Sequence, residues 1–444
     1  MSTPSVLRLA IGHVRTPLYL NAYSLIASNA ITSALGLVYW SIAARMYPVA
    51  TMGASSAVIS MMLFLSGVAQ LNLRVALFRL IPEAGAAAGR LIGGAYALVL
   101  VLSGLVALLV FGGAMVLGSP WTSISELASP LGLLLLVAGT MAWSVFNLQD
   151  GVLAGLRRTP WVPVENGAYA VAKIVVLVMV ATVLPTAGIV TSWIVPSLVL
   201  VVVVSIVLAF RWVPTHVSRQ AGRAPRMARR RLLSFVAADS VGALFALAAS
   251  TLLPVIVVAQ AGATQGAYFA IAWTIVMALT LVPVNMAASM TVETIHAGAD
   301  LATETRRLTI HVARLLVPLL VVLEIAAPWI LHIFGPEYAA NATDTLRLAM
   351  LGLVPFAANA IYLAAARIRG QGRRILLIQA SVAVLTLGGS LLLLRSAGIF
   401  GVAIAWPLAQ ALVAAVVVPA GLWPLLRQAG HPQPVEPPPS ASPS

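Results

Sequence analysis

Apolar residues come in this chain in blocks of about twenty or more, separated by glycines, prolines and clusters of arginine and carrying few charges inside. Wound as a helix at roughly 1.5 Å per residue, each block is long enough to cross a hydrocarbon layer of roughly 30 Å. Composition agrees: 61% of the 444 residues are hydrophobic and 9% charged, with a mean hydropathy of +1.00. Soluble domains hold roughly 45–50% apolar and roughly 25% charged residues. The expected class is an all-α polytopic membrane protein.

The blocks divide into twelve expected spans: 20–44, 53–78, 91–117, 131–155, 163–184, 188–212, 233–258, 266–294, 308–334, 346–366, 375–394 and 399–426. The first is too long for the apolar core of a signal peptide and lacks a small-residue cleavage site, so it reads as a span. Lys and Arg collect on the cytoplasmic ends of spans. With both termini inside, 20 of the 26 cations fall on that side, 3 on the other (Arg45, Arg347 and Arg395) and 3 within spans (Arg74, Lys173 and Arg314). The net charge of +14, which in a soluble protein would suggest nucleic acid, here reports orientation, and no nucleic-acid partner is expected.

Four segments follow: a six-helix bundle over 1–212, a basic cytoplasmic linker over 213–231, a second six-helix bundle over 232–428 and a Pro-rich tail over 429–444. The linker holds Arg219, Arg223, Arg226, Arg229, Arg230 and Arg231, suited to anionic lipid headgroups or to a regulatory partner. The tail has too little apolar surface to pack and is expected to be disordered. The halves echo each other. Ser24 and Asn29 match Ser234 and Asp239 at an offset of 210, Gly53 and Asn72 match Gly266 and Asn285 at 213, and Arg157-Arg158 match Arg373-Arg374 at 216. Units of six helices keep both copies in one orientation, so the expected relation is a parallel repeat about an axis along the membrane normal.

Polar residues inside lipid either bind helices together or line a path. The first span places Asn21, Ser24, Ser28 and Thr32 on one face, alongside Asn29. The second does so with Ser56, Ser60, Gly67, Gln70 and Arg74, and the fourth with Thr140, Ser144, Asn147 and Gly151, with Asp150 at its border. For the small members, close packing and cavity lining are both open. Lys173, the only lysine, sits about ten residues into the fifth span, roughly 15 Å from its cytoplasmic end, with Glu165 and Tyr169 along the neighbouring face. It reads as a substrate or ion contact, or as the partner of Glu165, Asp150 or Asp239. Asp239 and Glu324 are candidates for a coupling proton or for neutralising Lys173 or Arg314. Arg74 and Arg314 reach toward the cytoplasmic side.

No enzyme is expected. The chain has no Cys, hence no thiolate site or cysteine nucleophile, and it carries no HExxH, GxSxG or P-loop pattern. No carboxylate cluster suits a metal, and no cofactor or metal is expected.

Particular stretches then resemble a family. The run Ala43 to Tyr47 followed by 53–85 (GASSAVISMMLFLSGVAQLNLRVALFRLIPEAG) resembles the first two helices of Wzx-type polysaccharide flippases, of the multidrug/oligosaccharidyl-lipid/polysaccharide exporter superfamily. Residues 150–173 (DGVLAGLRRTPWVPVENGAYAVAK) resemble the segment joining their helices 4 and 5, and Phe334 to Ala339 with Leu346-Arg347 their loop after helix 9. The resemblance implies two six-helix bundles around a V-shaped cavity that opens to each side in turn, in the bacterial cytoplasmic (inner) membrane. It implies a polyprenyl-diphosphate-linked oligosaccharide as cargo, with membrane lipids and polysaccharide polymerase or assembly proteins as partners. On that reading Lys173, Arg74 and Arg314 meet the diphosphate, Asn29, Gln70, Asn147 and Tyr169 line the cavity, and Asp239, Glu165, Asp150 and Glu324 couple ions or balance charge. A proton- or sodium-coupled exporter of organic cations is the alternative within the fold, although the first span carries Asn29 and no acid. A lipid II flippase, another twelve-helix carrier and an assembly scaffold are the others.

Overall fold

The structure, a computed structural model, describes the backbone of residues 17–117, 129–219, 229–297 and 300–429, and their side chains apart from 17–31, 229–240, 292–293 and 295–297. Asn29 and Asp239 therefore lie outside the described side chains, and the expected disordered tail lies outside the described residues from 430 onward.

Each apolar block becomes a helix. The chain runs α1 (Pro17–Met46), α2 (Val49–Gln70), α3 (Leu73–Ala84), α4 (88–117), α5 (Pro130–Gly155), α6 (Trp161–Val180) and α7 (Gly188–Arg219). It continues with α8 (229–261) and α9 (263–297), which meet at Gly262 (φ 85°), then α10 (Leu301–His332), α11 (Pro336–Leu351), α12 (Leu353–Ile368), α13 (Gly372–Ala397) and α14 (Ile399–Gln428). Among the described residues ten stretches are long and apolar enough to span a membrane, and one of these, Val241–Thr291, covers both α8 and α9. The molecule is a multi-pass, all-helical membrane protein.

Several expected boundaries shift. The second span was read as one helix over 53–78; it is two, because Leu71 (φ 47°) and Asn72 (φ 59°) both take the left-handed conformation. Arg74 consequently leaves the face shared by Ser56, Gly67 and Gln70. The tenth span begins ten residues earlier than expected, at Pro336, a residue preorganised for a first helical turn. It is interrupted at Gly352, so Pro336 to Ala339 are helix rather than loop. Of the 213–231 linker, residues 213–219 belong to α7 and 229–231 to α8, and 220–228 lie outside the described residues. Single π-helical turns sit at Leu108–Gly112, Leu208–Trp212 and Val418–Leu422.

The two halves meet chiefly through α2, which packs along the α8–α9 pair. Gly53 lies so close to the backbone of Ala263 and Ala267 that any side chain there would collide with it, and Gly67 faces Leu247. The α1 end joins in, with Arg45 Nε donating to the carbonyl of Ile333 at 2.9 Å. A second tight contact, Gly151 against the backbone of Arg74, seats α3 on α5 within the N-terminal half.

Candidate functional site

Lys173 lies on α6, 7% exposed. Of the expected carboxylate partners, Glu165 and Asp150 form no ion pair with it and the Asp239 side chain lies outside those described; among the described residues aromatic rings surround its ammonium. Its Nζ lies 4.4 Å from the ring centre of Trp193, 4.7 Å from Tyr39 and 5.4 Å from Tyr169. All three distances fall within the roughly 6 Å over which a ring face attracts a cation. The walls come from three helices, α1, α6 and α7, and they hold one another. Tyr39 Oη sits 2.7 Å from Ser192 Oγ and donates to the carbonyl of Ile189 at 3.2 Å, and Tyr169 Oη donates to the carbonyl of Trp193. Trp40, Trp143 and Phe146 extend the cluster, with ring centres 5.1–6.3 Å apart.

The remaining polar residues of this half gather nearer the other end of α6. Asp150 pairs with Arg74 at 3.9 Å and accepts from Asn166 Nδ2 at 3.3 Å. Glu165, 5% exposed, stands next to Asn166 on α6, and neither of its carboxylate oxygens has a hydrogen-bond partner among the described residues. Gln70 donates to the carbonyl of Ser144 at 3.0 Å, joining α2 to α5. Ser56, Thr140, Ser144 and Asn147 each bond a carbonyl three or four residues back on their own helix, which favours packing over cavity lining at these positions. In the C-terminal half Glu324 is neighboured by Arg347, whose Nε donates to the carbonyl of Glu324 at 3.0 Å. Arg314 is exposed. Neither is brought to Lys173.

Two cavities complete the picture. One of about 520 Å³ lies within the C-terminal half, walled by Trp273, Phe356 and Trp406. Its polar features include a buried amide pair, in which Asn359 Nδ2 donates to Gln410 Oε1 at 2.9 Å, with Ser250, Thr280, Thr291, Gln379 and Arg367; among the described residues no carboxylate lines it. The other, of about 410 Å³, is formed where the α5–α6 turn meets the end of α7, by Arg157, Arg158, Trp212, Thr215, His216 and Arg219. The Arg158 guanidinium lies 5.8 Å from the Trp212 ring centre.

No family model matches the chain, and no curated protein matches it by sequence. Solved structures do. A multidrug-resistance MATE family transporter of the MOP superfamily, in an inward-facing conformation, superposes with a TM-score of 0.68 at 18% identity, over 90% of this chain and 96% of that one. The chain shares the fold of that transporter. The lipid II flippase MurJ, in an inward closed conformation, shares it at a TM-score of 0.60 and 10% identity, over 91% and 89%. So does a MOP superfamily transporter from Pyrococcus furiosus Vc1, described as having a binding pocket of reversed polarity, at 0.58 and 14%, over 91% and 95%.

The cage walls Tyr39 and Trp193 are not among the expected site residues, which include Lys173 and Tyr169. A signal was present. Trp193 follows Gly188 by five residues as Trp406 follows Gly401, and Trp143 precedes Phe356 by the same 213 residues that separate Gly53 from Gly266. Extending the repeat search to aromatics would have marked Trp143 and Trp193 together with two of the walls of the C-terminal cavity.

Proposed function

We propose that this protein is a transporter that carries polyprenyl-diphosphate-linked oligosaccharide from the cytoplasmic to the outer leaflet, for cell-surface polysaccharide synthesis. Two six-helix units, 1–212 and 232–428, would alternate around a central cavity, with both termini and the basic 213–231 segment in the cytoplasm of a bacterial inner membrane. The observation that carries the reading is the sign of the charge inside each half. The deeply buried ion near the middle of the N-terminal half is Lys173, and the cavity of the C-terminal half is lined by Arg367; among the described residues no carboxylate is in ion-pair range of Lys173 and none lines that cavity. A chamber of that polarity suits a cargo bearing negative charge and disfavours an organic cation.

The basic cavity fits the first step. Arg157, Arg158 and Arg219 have no ion pair among the described residues and converge at the cytoplasmic end assigned by the positive-inside rule. Guanidinium groups in that arrangement suit phosphate oxygens. From there the headgroup would pass into the cavity between the halves while the prenyl chain stays in lipid. Lys173, twelve residues from Trp161 and seven from Val180, stands roughly 18 Å and 10 Å from the two ends of α6. Its charge would draw the diphosphate toward the outer half.

The competing reading, proton- or sodium-coupled export of organic cations, has one observation in its favour, the neighbouring carboxyl groups of Asp150 and Glu165. Sidedness of the lipid-linked oligosaccharide decides. In cells depleted of the protein, a lectin that cannot cross the bilayer should find the glycan retained on the cytoplasmic face, and re-expression should return it to the outer face. Unchanged sidedness, with dye efflux lost instead, would hand the case to the antiporter.

A further inference from the structure

We infer that Lys173 is a tethered occupant of a cation-binding cage, and that by filling the cage with its own ammonium it makes the N-terminal half reject organic cations. Aromatic boxes of this build are used to hold quaternary ammonium groups, which bind through ring faces rather than through a counter-ion. Three features place Lys173 in such a box. Its ammonium is within 5.4 Å of three ring centres on three helices. Among the described residues no carboxylate pairs with it, and Glu165, the nearest acid on its own helix, is two turns away, roughly 12 Å along the axis. The walls are also braced without it: Tyr39 through Ser192 and Ile189, Tyr169 through the Trp193 carbonyl, with both tyrosines edge-on to Trp193 at 77° and 78°.

The last feature gives the inference its content. A lysine locked to a carboxylate leaves behind an unpaired anion when it is truncated. A lysine held by self-braced rings leaves behind a vacant cage, open to any small cation of similar size. Lys173 thus acts as a specificity determinant for the site proposed above, adding what that site refuses. The C-terminal cavity differs: its aromatic walls, Trp273, Phe356 and Trp406, enclose open space and a neutral amide pair, and its lining cation, Arg367, is exposed.

The test reads binding and not flipping, so it stands apart from the sidedness experiment. In the purified full chain, tetramethylammonium and n-butylammonium are titrated against tryptophan fluorescence and thermal unfolding. Wild type and Lys173→Met, whose side chain still fills the cage, should give no saturable response. Lys173→Ala should bind both ions at least tenfold more tightly than wild type and be stabilised by them, and adding Trp193→Leu should remove the effect. A folded Lys173→Ala that binds no better than wild type, or binding that survives Trp193→Leu, overturns the inference. Should Lys173→Ala fail to fold, the cage can be opened from the other side. Because Lys173 is the only lysine, it is the one side-chain amine open to an acylating reagent, and peptide mass spectrometry separates it from the N-terminal amine; Trp193→Leu or Tyr39→Leu should accelerate its acylation at least tenfold. Equal rates in wild type and both variants would also overturn it.

Discussion

Glu165 and Arg74 lie in one cluster of the N-terminal half and should answer mutation in opposite ways. Arg74 attracts notice in the sequence as a cation within a span, yet its side chain is 54% exposed and its contact with Asp150 is 3.9 Å long. An ion pair so accessible contributes about 0–1 kcal/mol, so Arg74→Ala should lower thermal stability only slightly. Glu165 is buried with neither oxygen hydrogen-bonded among the described residues, and burying a polar group in that condition costs about 1–3 kcal/mol. Glu165→Met should therefore raise the unfolding temperature of the detergent-solubilised protein. If it raises stability and stops transport, the carboxyl is retained for function at the expense of the fold; a loss of stability instead would reveal a partner for Glu165. The two residues also show how far single positions can be read from sequence. That Lys173 is exceptional is visible from its depth in an apolar span. What surrounds it is not, because Tyr39 and Trp193 are 134 residues before it and 20 after it, and a charge-pairing argument looks for acids, whereas the counter-charge here is the negative face of rings.

At the scale of the element, the apolar blocks announced nearly every helix, since lipid leaves the backbone no other way to satisfy its own hydrogen bonds. The breaks were less legible. Gly352 and Gly262 are ordinary interruption signals, but between Gln70 and Leu73 the chain turns at a leucine and an asparagine. Asn tolerates the left-handed region; Leu does not, at a cost of about 1–2 kcal/mol. Tertiary contacts hold the turn in place: Gln70 is tied to the Ser144 carbonyl, and Gly151 admits the Arg74 backbone. Leu71 is 43% exposed, so removing its side chain sacrifices limited packing. Leu71→Gly is accordingly expected to stabilise the protein by about 0.5–1 kcal/mol, while Leu71→Val, β-branched and harder to place at positive φ, should destabilise it. Paired melting curves check the order of the three. A continuous α2–α3 helix would reverse it, because glycine would then be the worst of them.

Across the whole molecule the halves meet along α2, through Gly67 and Leu247 and, at the other end of the helix, where Gly53 abuts Ala263 and Arg45 reaches Ile333. In the proposed orientation that end faces outward, and the cavity-bearing ends, with Arg367 and the Arg157–Arg158–Arg219 cluster, face the cytoplasm. If the halves rock about α2, the contacts at residues 45, 53, 263 and 333 must separate in every cycle. The absence of cysteine makes this directly testable. Arg45→Cys with Ile333→Cys, bridged by a short bismaleimide, should yield a folded protein that binds cargo from the cytoplasmic side and releases none, while each single variant treated alike stays active. A bridged protein that still moves its cargo would mean this end never opens, and alternating access between the two halves would have to be abandoned for a path along the lipid-facing surface of one of them.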